Sequence, residues 1–142
     1  KVHFSLFLFH IFSFNTMTEN EISRVIYESA INAHRELGGA GLLESVYEEA
    51  LCHELKERGM SVERQLSMPI YYKGIELGTP LRIDLLVGNK VIVECKATEK
   101  YNSIFEVQTL TYLRLSGLKL GLVINFGNQL VKDGIKRVVN NL

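Results

Sequence analysis

Residues 81–96 read LRIDLLVGNKVIVECK, and this stretch decides the fold class of the chain. Two runs rich in branched aliphatic residues flank the turn signal Gly88-Asn89, a pattern that predicts two antiparallel strands joined by a short loop. Three charged side chains interrupt the apolar runs: Asp84, Glu94 and Lys96. Burial of such groups costs several kcal/mol per ion unless they are paired or bind a metal. We therefore expect this hairpin to carry a functional site.

The register of the hairpin decides whether the charged side chains meet. With a three-residue loop over residues 88–90, the facing pairs are Asp84–Glu94, Arg82–Lys96, Leu86–Ile92, Leu85–Val93 and Ile83–Cys95. A strict two-residue turn shifts the pairing by one residue and sets Glu94 against Ile83. We predict the first register, or an equivalent bulge near the site, because only that register places the charged side chains of the two strands opposite each other.

Two facing carboxylates repel each other unless a cation lies between them. Oxygen ligands suit Mg²⁺ or Mn²⁺ better than Zn²⁺. A lysine on the same strand face can orient or help to deprotonate a water molecule, while the metal stabilises charge on a phosphate. This combination predicts phosphodiester hydrolysis. The alternative is an exposed ladder of ion pairs, which is common on protein surfaces.

The chain before the hairpin predicts two helices and a further strand. Apolar residues recur every three or four positions over residues 18–37, behind a capping box at Thr18–Glu21, and a glycine run ends this helix. A second helix is predicted over residues 42–58. Residues 62–72 are rich in β-forming residues and close at a hairpin turn, Lys73-Gly74.

The chain after the hairpin predicts one helix and one strand. Ser103 and Glu106 form a second capping box, at the start of a helix that ends near Gly117. Residues 118–126 are predicted to form a buried strand, whereas the pattern of residues 129–142 does not decide the type of element. The order α-α-β-β-β-α-β predicts an α/β (α+β) fold, with a mixed sheet of about four strands flanked by helices.

The first sixteen residues differ in composition from the rest. Residues 1–16 contain five of the seven phenylalanines and one charged residue. Their apolar run is shorter than the roughly 20 residues of a membrane span. Because a capping box follows Met17 directly, we expect Met17 to be the natural start, residues 1–16 an upstream-translated leader outside the fold, and residues 17–142 a single domain. A signal peptide is the alternative, although no Ala-x-Ala cleavage site follows.

The charge balance and the cysteines bear on partners and compartment. The net charge is zero, with 16 basic and 16 acidic residues. Binding of nucleic acid would therefore need a locally basic face, since phosphate neutralisation supplies most of the non-specific affinity. Cys52 and Cys95 lie in apolar patterns without metal-ligand spacing, which favours two buried thiols in a cytoplasmic protein.

The ordered motifs of the chain resemble a known nuclease superfamily. The Asp-x9-Glu-x-Lys pattern of residues 84–96 resembles the PD-(D/E)XK signature, with Ile83 in the place of the proline that many members carry. Residues 41–47 (GLLESVY) fit the motif of the GxxExxY proteins, a bacterial and archaeal family within that superfamily. The likeness continues through YYKG, RIDLLV, LVINFG and KDGIKRVVN, and it covers residues 18–141.

The resemblance implies a restriction-endonuclease-like core and a Mg²⁺- or Mn²⁺-dependent hydrolase of nucleic acid, with DNA as the expected substrate. It implies that Asp84, Glu94 and the backbone carbonyl of Cys95 hold the metal. Lys96 would act on the attacking water, and Glu44 would be a fourth catalytic residue and metal ligand. For Glu44 the alternative is a first-turn glutamate that the helix dipole favours.

The resemblance also implies two substrate-binding residues, Gln108 and Tyr112, and we expect Arg82 to bind substrate as well. Gln108 and Tyr112 are four residues apart and so share one helix face. An ordinary core tyrosine is the alternative for Tyr112.

Two other classes of function stay open. The chain could be a catalytically silent module that keeps the nuclease fold to bind nucleic acid or protein. It could also be an accessory subunit whose substrate face is completed in a homodimer. The zero net charge and small size favour these alternatives, and no membrane association is expected.

Overall fold

The computed structural model describes residues 17–142, so the expectations for residues 1–16 lie outside the described residues. The helices are α1 (Glu19–Glu36), α2 (Glu44–Glu57) and α3 (Ile104–Ser116), with a 3-10 helix at Val131–Gly134. The strands are β1 (Val62–Met68), β2 (Tyr71–Tyr72), β3 (Ile75–Glu76), β4 (Leu81–Val87), β5 (Val91–Lys96), β6 (Leu120–Asn125) and β7 (Ile135–Val139).

Five strands form one mixed sheet in the order β1-β4-β5-β6-β7. Strands β1, β4 and β5 form an antiparallel meander, and α3 crosses over to β6, which lies parallel to β5. These features confirm the predicted mixed α/β fold, consistent with a restriction-endonuclease-like core. The fifth strand, β7, comes from the tail whose pattern was undecided, and it pairs antiparallel with β6.

Helices cover both faces of the sheet. Helices α1 and α2 pack on one face, in a cluster that includes Ile22, Leu51 and Leu85. Helix α3 packs on the other face, in a cluster that includes Ile92 and Leu113. Because both faces are covered, β5 and β6 are buried along almost their whole length, as their apolar sequences require.

The helix caps were predicted correctly at α1 and wrongly at α3. The Thr18 hydroxyl accepts the Glu21 N–H at 3.1 Å, as a capping box requires. Ser103 makes no such hydrogen bond, because its own backbone is already helical. The Asn102 side chain accepts the Ile104 N–H at 3.0 Å instead.

The small β2–β3 hairpin was predicted, but its strand is not continuous with β1. Strand β1 ends at Met68, before Pro69, and the chain then forms a separate two-stranded sheet. Lys73 and Gly74 occupy the turn with φ angles of 49° and 79°. Two successive positive φ angles are typical of the turns that join two-residue hairpin loops.

The β4–β5 hairpin has the predicted register. Its backbone pairs are Val87–Val91, Leu86–Ile92 and Leu85–Val93. Gly88 enters the loop with a φ of 59°, and a Cβ added there would lie 2.8 Å from the Ile22 side chain. The loop therefore needs glycine both for its backbone conformation and for the close approach of α1.

The backbone ladder of this hairpin ends one pair before Asp84. Three predicted backbone pairs are therefore absent between the described strands: Asp84–Glu94, Ile83–Cys95 and Arg82–Lys96. The reason is that the Asp84 side chain replaces a backbone partner, since its Oδ2 accepts the Cys95 N–H at 2.9 Å.

Two further findings concern the cysteines and membranes. Cys52 and Cys95 are both free and buried, as predicted. Among residues 17–142, no helix combines the length and the apolar character that crossing a bilayer requires.

Candidate functional site

Asp84 lies where the side-chain alternation of β4 changes. Leu85 packs in the cluster beneath α1 and α2, whereas Ile83 packs in the cluster beneath α3. The half-buried Asp84 between them uses its carboxylate as a hydrogen-bond acceptor for the β5 backbone. The strand is thus distorted at this residue, as the bulge alternative to a regular register allowed.

Glu94 is buried directly beside Asp84. Its Oε1 accepts the Asp84 backbone N–H at 3.4 Å, and only 7% of the residue is exposed. Burial and the negative charge of Asp84 together raise the pKa of Glu94 to about 9, against the smaller opposing effect of Lys96. In the absence of metal, Glu94 therefore holds a proton at neutral pH.

Lys96 ends β5 on the same strand face as Glu94. Its Nζ lies 4.6 Å from the centre of the Phe105 ring on α3. An aromatic face attracts an ammonium group without neutralising its charge. The charge of Lys96 lowers the pKa of Glu94 and of Glu44.

The chain leaving Lys96 is held by an asparagine of β6. Asn125 is buried, and its side chain bonds both the N–H and the carbonyl of Thr98, at 2.9 and 3.0 Å. The Phe126 N–H donates to the Lys96 carbonyl at 2.7 Å. A Cβ added at Gly127 would lie 2.3 Å from the Thr98 carbonyl oxygen. We call these contacts of residues 125–127 the β6 clamp; they fix the backbone that carries Lys96.

Glu44 is the first residue of α2 and lies on the rim of the site. It lines a cavity of about 330 Å³, together with Glu48, Gln65 and Asp84. Partial burial raises the pKa of Glu44, Lys96 lowers it, and Asp84 and Glu48 raise it. The helix-dipole interpretation is compatible with this placement, because Glu44 is exposed in the first turn.

Glu48 lines the same cavity, although it was not predicted from the sequence as a site residue. Glu48 is buried and accepts hydrogen bonds from Arg64 Nε at 3.0 Å and from Gln65 Nε2 at 2.5 Å. The same Gln65 amide lies 3.4 Å from Asp84 Oδ1, so it bridges the two carboxylates. The spacing of four residues from Glu44 was the available signal, since it places both glutamates on one helix face.

Gln65 has an unusual backbone conformation for a strand residue. Its φ is 52°, in the left-handed region, which costs of order 1 kcal/mol or more for a residue with a side chain. Sequence patterns carried no signal for this. The strained backbone places the amide between Glu48 and Asp84.

The three predicted substrate-binding residues differ in burial: Tyr112 is half-buried, whereas Gln108 and Arg82 are exposed. On α3, burial raises the pKa of Tyr112, and the charges of Glu94 and Asp84 raise it further. Gln108 is exposed on α3, and no hydrogen bond joins it to a site carboxylate within the described part of the chain. Arg82 is exposed and lies opposite Ser67 of β1.

The residues present fit a hard cation but do not form a complete ligand cage. Within residues 17–142, no three His, Cys, Asp or Glu side chains are grouped closely enough to hold a metal ion. Asp84 and Glu94 offer two adjacent carboxylates. Mg²⁺ commonly binds through one or two carboxylates and keeps several waters. The donor chemistry therefore suits Mg²⁺ or Mn²⁺ better than a metal that needs four protein ligands.

Comparison with known proteins assigns the family. Residues 20–138 match the sequence pattern of the PD-(D/E)XK nuclease superfamily. The chain therefore belongs to the PD-(D/E)XK nuclease superfamily, which indicates nuclease activity in general and nucleic acid as the class of substrate. No curated protein and no solved structure matches the chain.

Proposed function

We propose that the protein is a divalent-metal-dependent nuclease that hydrolyses phosphodiester bonds of DNA, with RNA as the alternative substrate. The observation that carries the proposal is the pair Asp84–Glu94, two adjacent carboxylates with Lys96 on the same strand face. The motif of residues 41–47 supports a closer affiliation with the GxxExxY proteins.

The electrostatics of the carboxylate pair favour a cation. Glu94 holds a proton at neutral pH because its charged form is buried beside Asp84. A pair that served only as a surface ion-pair ladder would be exposed to solvent and paired with basic side chains. Glu94 is buried, and it is bonded to the Asp84 backbone.

Asp84, Glu94 and the Cys95 backbone carbonyl are the proposed ligands of Mg²⁺ or Mn²⁺. When bound there, the metal would act as a Lewis acid that stabilises the charge developing on a phosphate. Lys96 is proposed to orient a water molecule and to favour its deprotonation, since an ammonium group beside a water oxygen stabilises the hydroxide form. Glu44, on the rim of the cavity, would complete the ligand shell through a water molecule.

Three side chains are proposed to bind the nucleic acid. Arg82 is exposed two residues before Asp84 and can pair with a phosphate. Tyr112 lies on α3, where the charges of Glu94 and Asp84 raise its pKa, and Gln108 lies one turn before it. Their positions on two sides of the carboxylate pair would hold a strand across it.

A silent binding module is the second candidate function. Two observations favour it: the zero net charge, and the lack of a grouped set of three metal-binding side chains within residues 17–142. A homodimer that completes the substrate face belongs to the same alternative.

Cleavage by purified protein separates the candidates. The assay uses circular, linear and single-stranded DNA and RNA with Mn²⁺ or Mg²⁺. Lys96→Ala is expected to lower the rate by at least about 100-fold, a typical contribution of a positioned proton-transfer group. Lys100→Ala, an exposed lysine beyond the site, is the matched control and should cleave normally. Equal cleavage by Lys96→Ala and the control would refute the nuclease assignment.

A further inference from the structure

The β2–β3 hairpin exposes several large apolar side chains to solvent. All of residues 71–80 are exposed. The exposed fractions are 62% for Tyr71, 60% for Tyr72, 66% for Ile75 and 42% for Leu77. Large apolar side chains grouped at the surface commonly mark a binding site.

The two faces of the hairpin differ in charge. Tyr72 pairs with Ile75 across the hairpin, so these two side chains lie on one face. The Lys73 ammonium lies over the Tyr72 ring, 5.4 Å from its centre. Tyr71 pairs with Glu76 and lies on the opposite face. The Tyr72 face therefore combines an aromatic ring with a positive charge, whereas the Tyr71 face carries a negative charge.

The hairpin is joined to the strands that carry the carboxylates. Its base is closed by the Leu77 N–H, which donates to the Ile70 carbonyl at 2.8 Å. Strand β4 begins at Leu81, three residues before Asp84, or about 10 Å at the usual rise per residue. The exposed Arg82 lies between the hairpin and Asp84. A nucleic-acid strand that was bound at Asp84 and extended to the hairpin would therefore run past Arg82.

We infer that the Tyr72 face of the hairpin is a stacking platform for an unpaired base of the nucleic-acid substrate. This inference rests on the proposed function and narrows its substrate to strands with unpaired nucleotides. An aromatic ring with an adjacent lysine is the combination that binds single strands, because the ring stacks on any base while the ammonium pairs with the backbone phosphate. A base pair inside a duplex offers no free base face.

A second copy of the chain fits this face less well. A stable protein interface uses roughly 20–30 residues on each side. The Tyr72 face offers two apolar side chains, and each hairpin strand has only two residues. Its size thus suits one nucleotide better than a protein partner.

Binding measured without cleavage tests the inference. Fluorescence anisotropy in EDTA compares three probes: an oligothymidylate, an abasic strand of the same length, and a blunt duplex. The wild type is expected to bind the oligothymidylate more tightly than the other two probes. Tyr72→Ala should weaken that binding by about 5- to 150-fold, the usual effect of losing one stacked base. It should leave binding of the abasic strand unchanged.

Two further variants serve as controls for Tyr72→Ala in the binding measurement. Tyr72→Phe keeps the ring and should bind as the wild type does. Tyr71→Ala removes an equally exposed tyrosine from the opposite face and should change the affinity less than about 2-fold, because Glu76 keeps phosphates away from that face. Melting temperatures verify that each variant is folded.

The failure of this inference differs from the failure of the proposed function. Equal binding of oligothymidylate by Tyr72→Ala and wild type would overturn the platform, even if the protein cleaves DNA. A change of oligomeric state in Tyr72→Ala, measured by light scattering, would also overturn it in favour of a self-association surface. Tight, Tyr72-dependent binding with no cleavage under any metal would support the platform and reject the nuclease.

Discussion

Asp84 combines a structural contact with a proposed catalytic role, and the two can be separated. Its carboxylate accepts the Cys95 N–H, yet it also lies beside the buried Glu94. The amide of Asp84→Asn keeps an oxygen acceptor and removes the negative charge that disfavours ionised Glu94. We expect this variant to melt at the same or a higher temperature without metal, while cleavage falls by at least about 100-fold.

The response of Asp84→Asn to metal completes this prediction. Wild-type protein should be stabilised by about 2.7 kcal/mol when Mg²⁺ or Mn²⁺ is at a hundredfold excess over its Kd, and the variant much less. Thermal melting with and without metal measures both effects. Asp133→Asn, an exposed aspartate of the 3-10 helix, is the control and should respond as the wild type does. A wild type that metal does not stabilise would argue for the ion-pair interpretation.

Glu94 makes the stability of the metal-free protein depend on pH. Its pKa is about 9 in the folded chain, against an ordinary value of 4.5. A group whose pKa rises on folding stabilises the fold fully below its unfolded pKa, and that stabilisation is lost as the pH rises through the folded value. Relative to Glu94→Gln, the wild type should therefore lose stability between about pH 4.5 and pH 9. Urea unfolding in EDTA across this range measures the difference.

Bound metal should oppose the loss of folding stability that Glu94 causes as the pH rises. The ion competes with the proton for the same carboxylate, so its affinity should rise over the same pH range. Titration calorimetry at several pH values tests this. An affinity that stays constant with pH would mean that the ion binds without displacing the Glu94 proton.

At the scale of elements, the β6 clamp positions the strand that carries Lys96. A Cβ at Gly127 would collide with the Thr98 backbone, which cannot move without shifting the end of β5. Gly127→Ala is expected to destabilise the fold by about 1–3 kcal/mol, the usual cost of overpacking. If the wild type cleaves nucleic acid, Gly127→Ala should also lower the cleavage rate. Gly78→Ala is a matched control, because Gly78 has open space around its Cα and no positive φ; chemical denaturation compares the two.

The sequence predicts the helices, four of the five strands of the large sheet and the hairpin register, because each has a local signal. Apolar periodicity marks α1, and the Gly88-Asn89 turn with the charge pattern determines which residues of β4 and β5 face each other. β7 has no such signal. It is a short edge strand in which apolar and basic residues do not alternate, and its pairing with β6 is a contact between neighbouring strands that no local residue pattern marks.

Only those residues of the candidate site that lie on the β4–β5 hairpin can be predicted from the sequence. Asp84, Glu94 and Lys96 share a hairpin, so their proximity follows from register. Glu48 and Gln65 come from α2 and β1, and the left-handed conformation of Gln65 occurs at a residue that is neither glycine nor asparagine, the types that would signal it in the sequence. Sequence periodicity carries no information on such a bridge.

At the scale of the whole molecule, the leader is predicted to be dispensable. A chain beginning at Met17 should fold with unchanged stability and equal or better solubility, because five phenylalanines in residues 1–16 favour aggregation. The α1 cap needs only Thr18 and Glu21. Circular dichroism and sedimentation compare the two chains. Further trimming to Ser29 is the control and should abolish folding, since it removes the fully buried Ile22 and Ile26.

The β6 clamp also has a consequence for protein synthesis. The carboxylates and Lys96 leave the ribosome before the clamp does, since about 30 residues, or roughly 2–6 s of translation, separate Lys96 from Asn125. Until Asn125 and Gly127 emerge, nothing holds the backbone after Lys96. Under the proposed function, a nascent chain would therefore gain the capacity to hydrolyse nucleic acid only after residues 125–127 have emerged.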